Sequence, residues 1–271
     1  MTKTNPSLLR DDSLLVLRAM KRNYSRKTYA APILGGYEMT YDHAPSDGAW
    51  RVLAIPGTPS RPHMFRRFLE QAPEDLEIIV PNRAGYGGPM WGEGVREPVL
   101  SFDDQVAAFA PLIDKDDGKK TIVVGVSYGG ALALKTALDF PHRVAGAVTV
   151  AMLVSEPRPY VSKSVKLAEW PVVRDVLPGY LHNARKEVAA RREQIGPLFA
   201  RLKELKVPVT ILHGDLDTLV APEAASELQT YFAEDADKEF ELIKGGTHYL
   251  ELQMPQRVYK AIRGVIARAE K

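Results

Sequence analysis

The sequence has no cysteine. That absence excludes disulfides, thiol nucleophiles and cysteine-ligated metals together, and it fits a reducing cytoplasm, where the protein is expected. There is no apolar run approaching ~18 residues, so no membrane-spanning helix and no stable membrane insertion are expected. The first stretch holds no secretory-type apolar core either, because Arg10, Asp11, Asp12 and Arg18 interrupt the leucines. Asn23-Tyr24-Ser25 matches the N-glycosylation pattern and, without such a signal, reads as a chance match. An excess of one charge is also missing. Lys and Arg number 36 against 34 Asp and Glu, a net charge of +2, which gives no global reason to expect nucleic acid as a partner. Also absent are a P-loop, a His-Glu-x-x-His pair and a Gly-x-Gly-x-x-Gly behind a strand, so no cofactor and no metal are expected.

What remains is an ordinary globular composition: 271 residues, 45% hydrophobic and 26% charged. That is long enough to bury a large core, and it suits one domain carrying an insertion. Residues 1–32 read as an N-terminal helical segment, with Leu8, Leu9, Leu14, Leu15, Val16, Leu17 and Met20 on its apolar positions. Such a helix can dock on the body, lie on a membrane or mediate a homodimer; docking is the plainest expectation. Residues 33–271 read as an α/β domain.

The strands expected in that domain are Ile33–Gly35, Tyr37–His43, Arg51–Ile55, Glu77–Val80, Thr121–Val126, Val144–Ala151, Val207–Leu212 and Phe240–Ile243. Several are continuous Val/Ile runs without alternation, as a parallel sheet buried on both faces requires. Helical spacing fills the gaps. Ser101 opens one helix with a capping-box-like Ser-x-x-Asp, a second runs from Tyr128 to Phe140, and others open near Pro222 and Pro255. The fold expected is therefore α/β: a doubly wound, mostly parallel sheet of about eight strands. Residues from about 152 to 206 break the rhythm with five prolines and no strong strand, and read as a short helical lid with pieces around Lys166–Val176 and Ala184–Leu205. From 152 to 206 the chain holds 11 Lys/Arg and 6 Asp/Glu. A solvated basic face is the plain reading of that excess; attraction of anionic substrates or of a membrane surface is the alternative.

Gly125-Val126-Ser127-Tyr128-Gly129-Gly130 lies between a strand and a helix. In a nucleophile elbow the serine sits on such a turn, and side chains two positions either side would collide, so both are glycine. An idle serine in a Gly-rich turn is the bland alternative. A serine hydroxyl needs a base. Of the six histidines, His248 in Gly246-Thr247-His248 follows the last strand; His213 is expected to brace a turn, His142 to be exposed, His182 to lie in the lid, and His43 and His63 to lie in loops. The histidine in turn needs an acid. Asp217 just past the penultimate strand is the candidate, with Asp215 as its competitor. Trp50, Trp91 and Trp170 read as packing residues, with an acyl pocket as the alternative for the last two.

Together, Pro56-Gly57-Thr58-Pro59, Asn82-Arg83-Ala84-Gly85-Tyr86-Gly87, Gly125–Gly130, Gly214–Val220 and Gly246–Leu250 make the chain resemble the α/β-hydrolase superfamily, in its serine hydrolase and esterase branch, over about residues 33 to 268. The resemblance implies the α/β-hydrolase fold and a nucleophile–acid–histidine order of Ser127, Asp217 and His248. It also implies an oxyanion hole made by the backbone N–H groups of Tyr128 and Thr58. Two departures stand out: Pro56 replaces the usual histidine before Gly57, and Asn82 stands where aspartate is common. The second segment is expected to be mostly structural. A serine nucleophile argues against the dehalogenase and epoxide hydrolase branches, which use aspartate. The expected function is hydrolysis of a small-molecule carboxylic ester through an acyl-serine. Acyl transfer, carbon–carbon bond hydrolysis and a non-catalytic ligand-binding relative remain the alternatives.

Overall fold

The structure is a computed structural model that describes residues 21–59, 62–86, 97–154 and 179–271. Its centre is an eight-stranded sheet: β1 (Ser25–Ala31), β2 (Tyr37–Ala44), β3 (Trp50–Ile55), β4 (Leu76–Pro81), β5 (Lys120–Val126), β6 (Val144–Val150), β7 (Val209–Gly214) and β8 (Lys238–Ile243). The strand order is β1-β2-β4-β3-β5-β6-β7-β8. The pairs from β4 to β8 are parallel; β1 and β2 join antiparallel at one edge. The sheet is doubly wound, as expected.

One expected strand lies elsewhere. Residues 32–34 form a 3-10 turn rather than a strand, and the hairpin partner of β2 is Ser25–Ala31. Gly35 and Gly36 take positive φ and close that hairpin, so the turn begins at Pro32, whose fixed φ suits it. The tail end of the 1–32 segment is therefore strand. The helix expected near its start lies outside the described residues, as do the lid helix expected at 166–176, Trp91 and Trp170.

Because the central strands are buried on both faces, alternate residues feed two cores. Leu53, Ile55, Ile79 and Val123 pack with α2 (Phe102–Ile113) and α3 (Tyr128–Asp139). Val52, Ala54, Ile78, Val80, Ile122, Val124 and Val126 pack on the opposite face with α1 (Arg66–Glu70) and with Val258, Ile262 and Val265. The helix expected at Ala184–Leu205, here α4 (Gly179–Arg201), begins earlier than its sequence pattern suggests and joins the first of these cores through Leu198 and Phe199. It is followed by α5 (Glu223–Gln229), α6 (Leu250–Gln253) and α7 (Pro255–Ala269). Ser101 caps α2 as expected, its hydroxyl accepting the Asp104 N–H at 3.2 Å. Close packing of α7 on the sheet needs Gly146, where a Cβ would lie 2.1 Å from Val265 Cγ1.

Glu251 in α6 is 2% exposed, and its Oε2 has no hydrogen-bond partner among the described residues. Burial pushes its carboxyl up to about 8. The folded chain thus holds a proton that the unfolded chain loses near pH 4.3, the ordinary glutamate value. Stability from this site is highest below that pH and falls as pH rises toward 8, because the unfolded state then binds fewer protons than the folded one. Glu251→Gln removes this dependence. Thermal unfolding followed from about pH 5 to about pH 9 should show wild type and E251Q melting together at the acid end and the wild type melting lower at the alkaline end. Parallel pH profiles would contradict this assignment.

Candidate active site

In open parallel α/β sheets, ligands bind in the crevice outside the carboxyl ends of the strands. Ser127 follows β5, Asp217 follows β7 and His248 follows β8, so all three expected residues lie beyond that edge. Between them runs a ladder of short links: Ser127 N–H donates to Val150 O and Ala151 N–H to Leu212 O, both at 2.8 Å.

Ser127 adopts φ 53° and ψ −119°. A positive φ is strained for a residue with a Cβ, at a cost on the order of 1–3 kcal/mol that the surrounding structure must override. The surrounding glycines explain how. A Cβ on Gly125 would lie 2.2 Å from Gly129 O, and one on Gly129 would lie 2.4 Å from Ile55 O, so the elbow closes only with hydrogen at both positions. Tyr128 is the first residue of α3, where backbone N–H groups have no acceptor within the helix. Gly57 packs against the elbow: a Cβ there would lie 3.0 Å from Ser127 Cβ. The two expected oxyanion donors, Tyr128 and Thr58, are thus the next residues along from two backbones that meet at Ser127. The Thr58–Pro59 peptide is cis.

Asp217 is 2% exposed and is the acid that meets His248, whose Nδ1 lies 2.8 Å from Asp217 Oδ2. The other oxygen, Oδ1, accepts the Leu219 and Val220 N–H groups at 2.8 and 2.9 Å. Burial pushes this carboxyl up, but the hydrogen bonds from His213 and His248 outweigh it and hold Asp217 well below the usual carboxylate range. The competitor, Asp215, instead accepts the Gly245 N–H at 2.7 Å and braces the turn after β8. His213 braces a turn as expected, 3.3 Å from Val220 O, and also lies 3.2 Å from Asp217 Oδ2. The remaining histidines divide as follows. His43 is buried in β2 with Nε2 2.8 Å from Glu77 Oε1, a correction to its expected place in a loop. His142 is exposed, and His182 lies in α4. His63 has no described side chain. Among the described residues no group of three or more His, Asp or Glu is placed to share a metal ion.

A second cluster was not expected from the sequence. Three inward positions of α4, Asn183, Glu187 and Arg191, are polar and buried. Glu187 is 0% exposed; it accepts from Thr58 Oγ1 at 2.6 Å and from Tyr86 OH at 2.8 Å, and it pairs with Arg83 Nη1. Arg83, 1% exposed, also donates to Gly57 O at 2.5 Å and to Gln105 Oε1 at 3.0 Å, and Gln105 donates to Tyr128 OH at 3.0 Å. The guanidinium lies 5.1 Å from the Tyr86 ring centroid and 4.9 Å from that of Tyr128. Burial pulls Arg83 down, and the Glu187 carboxylate outweighs it and keeps the side chain firmly charged. Arg83 belongs to a segment expected to be structural, and Glu187 to a lid expected to be solvated. The available signal was the spacing of 183, 187 and 191, four residues apart on one helical stripe.

The sequence profile of the alpha/beta hydrolase family matches residues 52–261. Lipase LipV of Mycobacterium tuberculosis is 33% identical over 101 residues, 37% of this chain and 36% of its own length. A poly(3-hydroxyalkanoate) depolymerase of Ectopseudomonas oleovorans is 29% identical over 182 residues, 56% of this chain and 63% of its own length. The chain thus aligns with less than two thirds of either relative. Among solved structures, haloalkane dehalogenase DbeA from Bradyrhizobium elkani superposes with a TM-score of 0.71 at 18% identity, covering 92% of this chain and 99% of that one. At that identity the likeness speaks for the fold.

The short contact between Asp217 and His248 is checked by proton NMR at low temperature. A strongly deshielded imidazole N–H is expected in the wild type and in Asp215→Asn. Its absence in Asp217→Asn is expected as well, since an amide cannot hold the same charge-assisted bond. A signal that survives D217N and vanishes in D215N would reverse the assignment of the acid.

Proposed function

The chain belongs to the alpha/beta hydrolase family, and from that premise we propose that it is a serine hydrolase cleaving carboxylic esters through an acyl-serine intermediate. The observation that carries the proposal is the 2.8 Å contact between His248 Nδ1 and Asp217 Oδ2, beyond the same sheet edge as the strained Ser127. With Nδ1–H donated to Asp217, the Nε2 of a neutral His248 is left as the base.

The chemistry follows from that tautomer. Ser127 Oγ attacks the ester carbonyl carbon and its proton passes to His248 Nε2. Asp217 stabilises the imidazolium that results. The carbonyl oxygen becomes an oxyanion and takes hydrogen bonds from the Tyr128 and Thr58 N–H groups, each worth about 2.7–4 kcal/mol in the transition state. Collapse expels the alcohol, which takes the proton from His248. Water then attacks the acyl-serine with His248 again as base, and the carboxylic acid leaves. The names of the two relatives above, a lipase and a poly(3-hydroxyalkanoate) depolymerase, support an ester as the bond cleaved. A small-molecule ester is accordingly the proposed substrate.

A series of p-nitrophenyl esters tests this directly. Steady turnover is expected in the wild type. Ser127→Ala and His248→Ala should each lower kcat by roughly 10³-fold or more, and the double variant should lose little beyond either single one, because residues acting as a unit are non-additive. Wild-type turnover that survives S127A would contradict the proposal. Added methanol separates hydrolysis from transfer, since the methyl ester accumulates only if an alcohol competes with water for the acyl group.

A further inference from the structure

Resting on the serine-hydrolase reading above, we propose that Glu187 is a positioning residue of the oxyanion site: through Thr58 and Arg83 it locks the Gly57–Thr58 peptide so that the Thr58 N–H faces away from the Arg83 guanidinium and stays available to the substrate.

The Gly57 carbonyl and the Thr58 N–H belong to the same trans peptide, so they point in opposite directions. Arg83 Nη2 holds the Gly57 oxygen at 2.5 Å. That bond fixes one end of the peptide plane and so bears on which side of the loop the Thr58 N–H faces. Glycine at 57 leaves the backbone free to rotate, because no Cβ restricts it. A side chain could not replace it without displacing Ser127, as the 3.0 Å approach to Ser127 Cβ shows. The orientation therefore has to be imposed from outside the loop.

Glu187 imposes it twice. One carboxylate oxygen pairs with Arg83 Nη1, which fixes the guanidinium that holds Gly57 O. The other accepts the Thr58 hydroxyl at 2.6 Å and the Tyr86 hydroxyl at 2.8 Å. Thr58 is thereby held by its side chain on one side of the plane and, through Gly57, by its backbone on the other. Both charges are almost wholly withdrawn from water, at 1% and 0% exposure. Removing two ions from water carries a heavy desolvation penalty before their attraction is counted, so such a pair contributes little as packing alone. Its placement makes sense where orientation is what has to be fixed. The carboxylate comes from α4 and the cation from the loop after β4, so the helix is tied to the catalytic edge by charge.

Steady-state kinetics on the p-nitrophenyl esters, together with the affinity for a trifluoromethyl ketone whose hemiketal carries an oxyanion, test the proposal. Thr58→Val removes the hydroxyl link and leaves the Arg83–Glu187 pair in place. Glu187→Ala removes both links. In T58V, kcat should fall about 10-fold or more, bounded by the roughly 10²–10³-fold that losing one donor costs, with KM moving less than about threefold. The ketone should bind more weakly by a similar factor. Thr58→Ser, which restores the hydroxyl, should recover most of kcat. Folded E187A should behave like T58V or worse, and the double variant should lose less than the product of the two single losses. If E187A does not fold, T58V and T58S decide alone. A folded T58V or E187A with kcat and ketone affinity within about twofold of wild type overturns the proposal and leaves the hydrolase reading intact. A wild type that turns over no ester overturns that reading, and this proposal with it.

Discussion

A carboxylate can stay ionised inside a protein only if donors surround it, and at least four among the described residues meet Asp217. Two are backbone N–H groups from its own turn, and two are the imidazoles of His213 and His248. The turn and the strand ends fix this arrangement before any ligand arrives. β7 and β8 are neighbours in the sheet, and the loops that leave them touch: a Cβ on Gly214 would lie 2.3 Å from Gly246 O. The approach of those two loops brings His248 to Asp217. In the proposed mechanism the ionised acid selects the imidazole tautomer, and that tautomer sets which ring nitrogen would serve as the base.

The opposite side of the site has a different logic. Near Ser127 the chain uses absence: glycines at 125 and 129 allow backbones to approach within distances no side chain tolerates, and a Cβ on Gly57 would have only a tight 3.0 Å to Ser127 Cβ. Close approach by itself leaves peptides free to turn. The buried ion pair between Arg83 and Glu187 supplies the orientation that glycine gives up. It also joins α4 to the loop after β3, at Gly57 and Thr58. Tyr128 is tied into the same set through Gln105, and Phe102 at the head of α2 packs edge-on against the Tyr128 ring. Both expected oxyanion donors therefore lie in residues whose side chains are fixed by the same buried cluster.

The fold was legible because its signals are local. Continuous apolar runs such as those at Val52–Ile55 and Ile122–Val124 suit a parallel sheet covered on both faces, and the capping serine at 101 sits where its pattern placed it. The turn at Ser127 was legible because it depends on residues next to a strand end, whereas Asp215 and Asp217 both follow β7 and only the family resemblance preferred the one that meets His248. The first strand was misplaced because the apolar pair Ile33-Leu34 drew attention, whereas Ser25–Ala31 pairs with β2 using polar residues at an exposed sheet edge. The cluster around Glu187 was not legible for the opposite reason. Its partners lie 129, 104 and 101 residues away in the chain, and a glutamate on a charged helix looks solvated until the fold covers it.

The central claim, that Ser127 is a nucleophile served by His248, is tested most directly by reaction with a fluorophosphonate followed by intact-mass and peptide analysis. One adduct per folded chain, mapped to Ser127, formed far more slowly in His248→Ala and absent in Ser127→Ala, is the predicted result. A folded wild-type chain that takes up no phosphonate, or takes it up at another residue, would contradict the account.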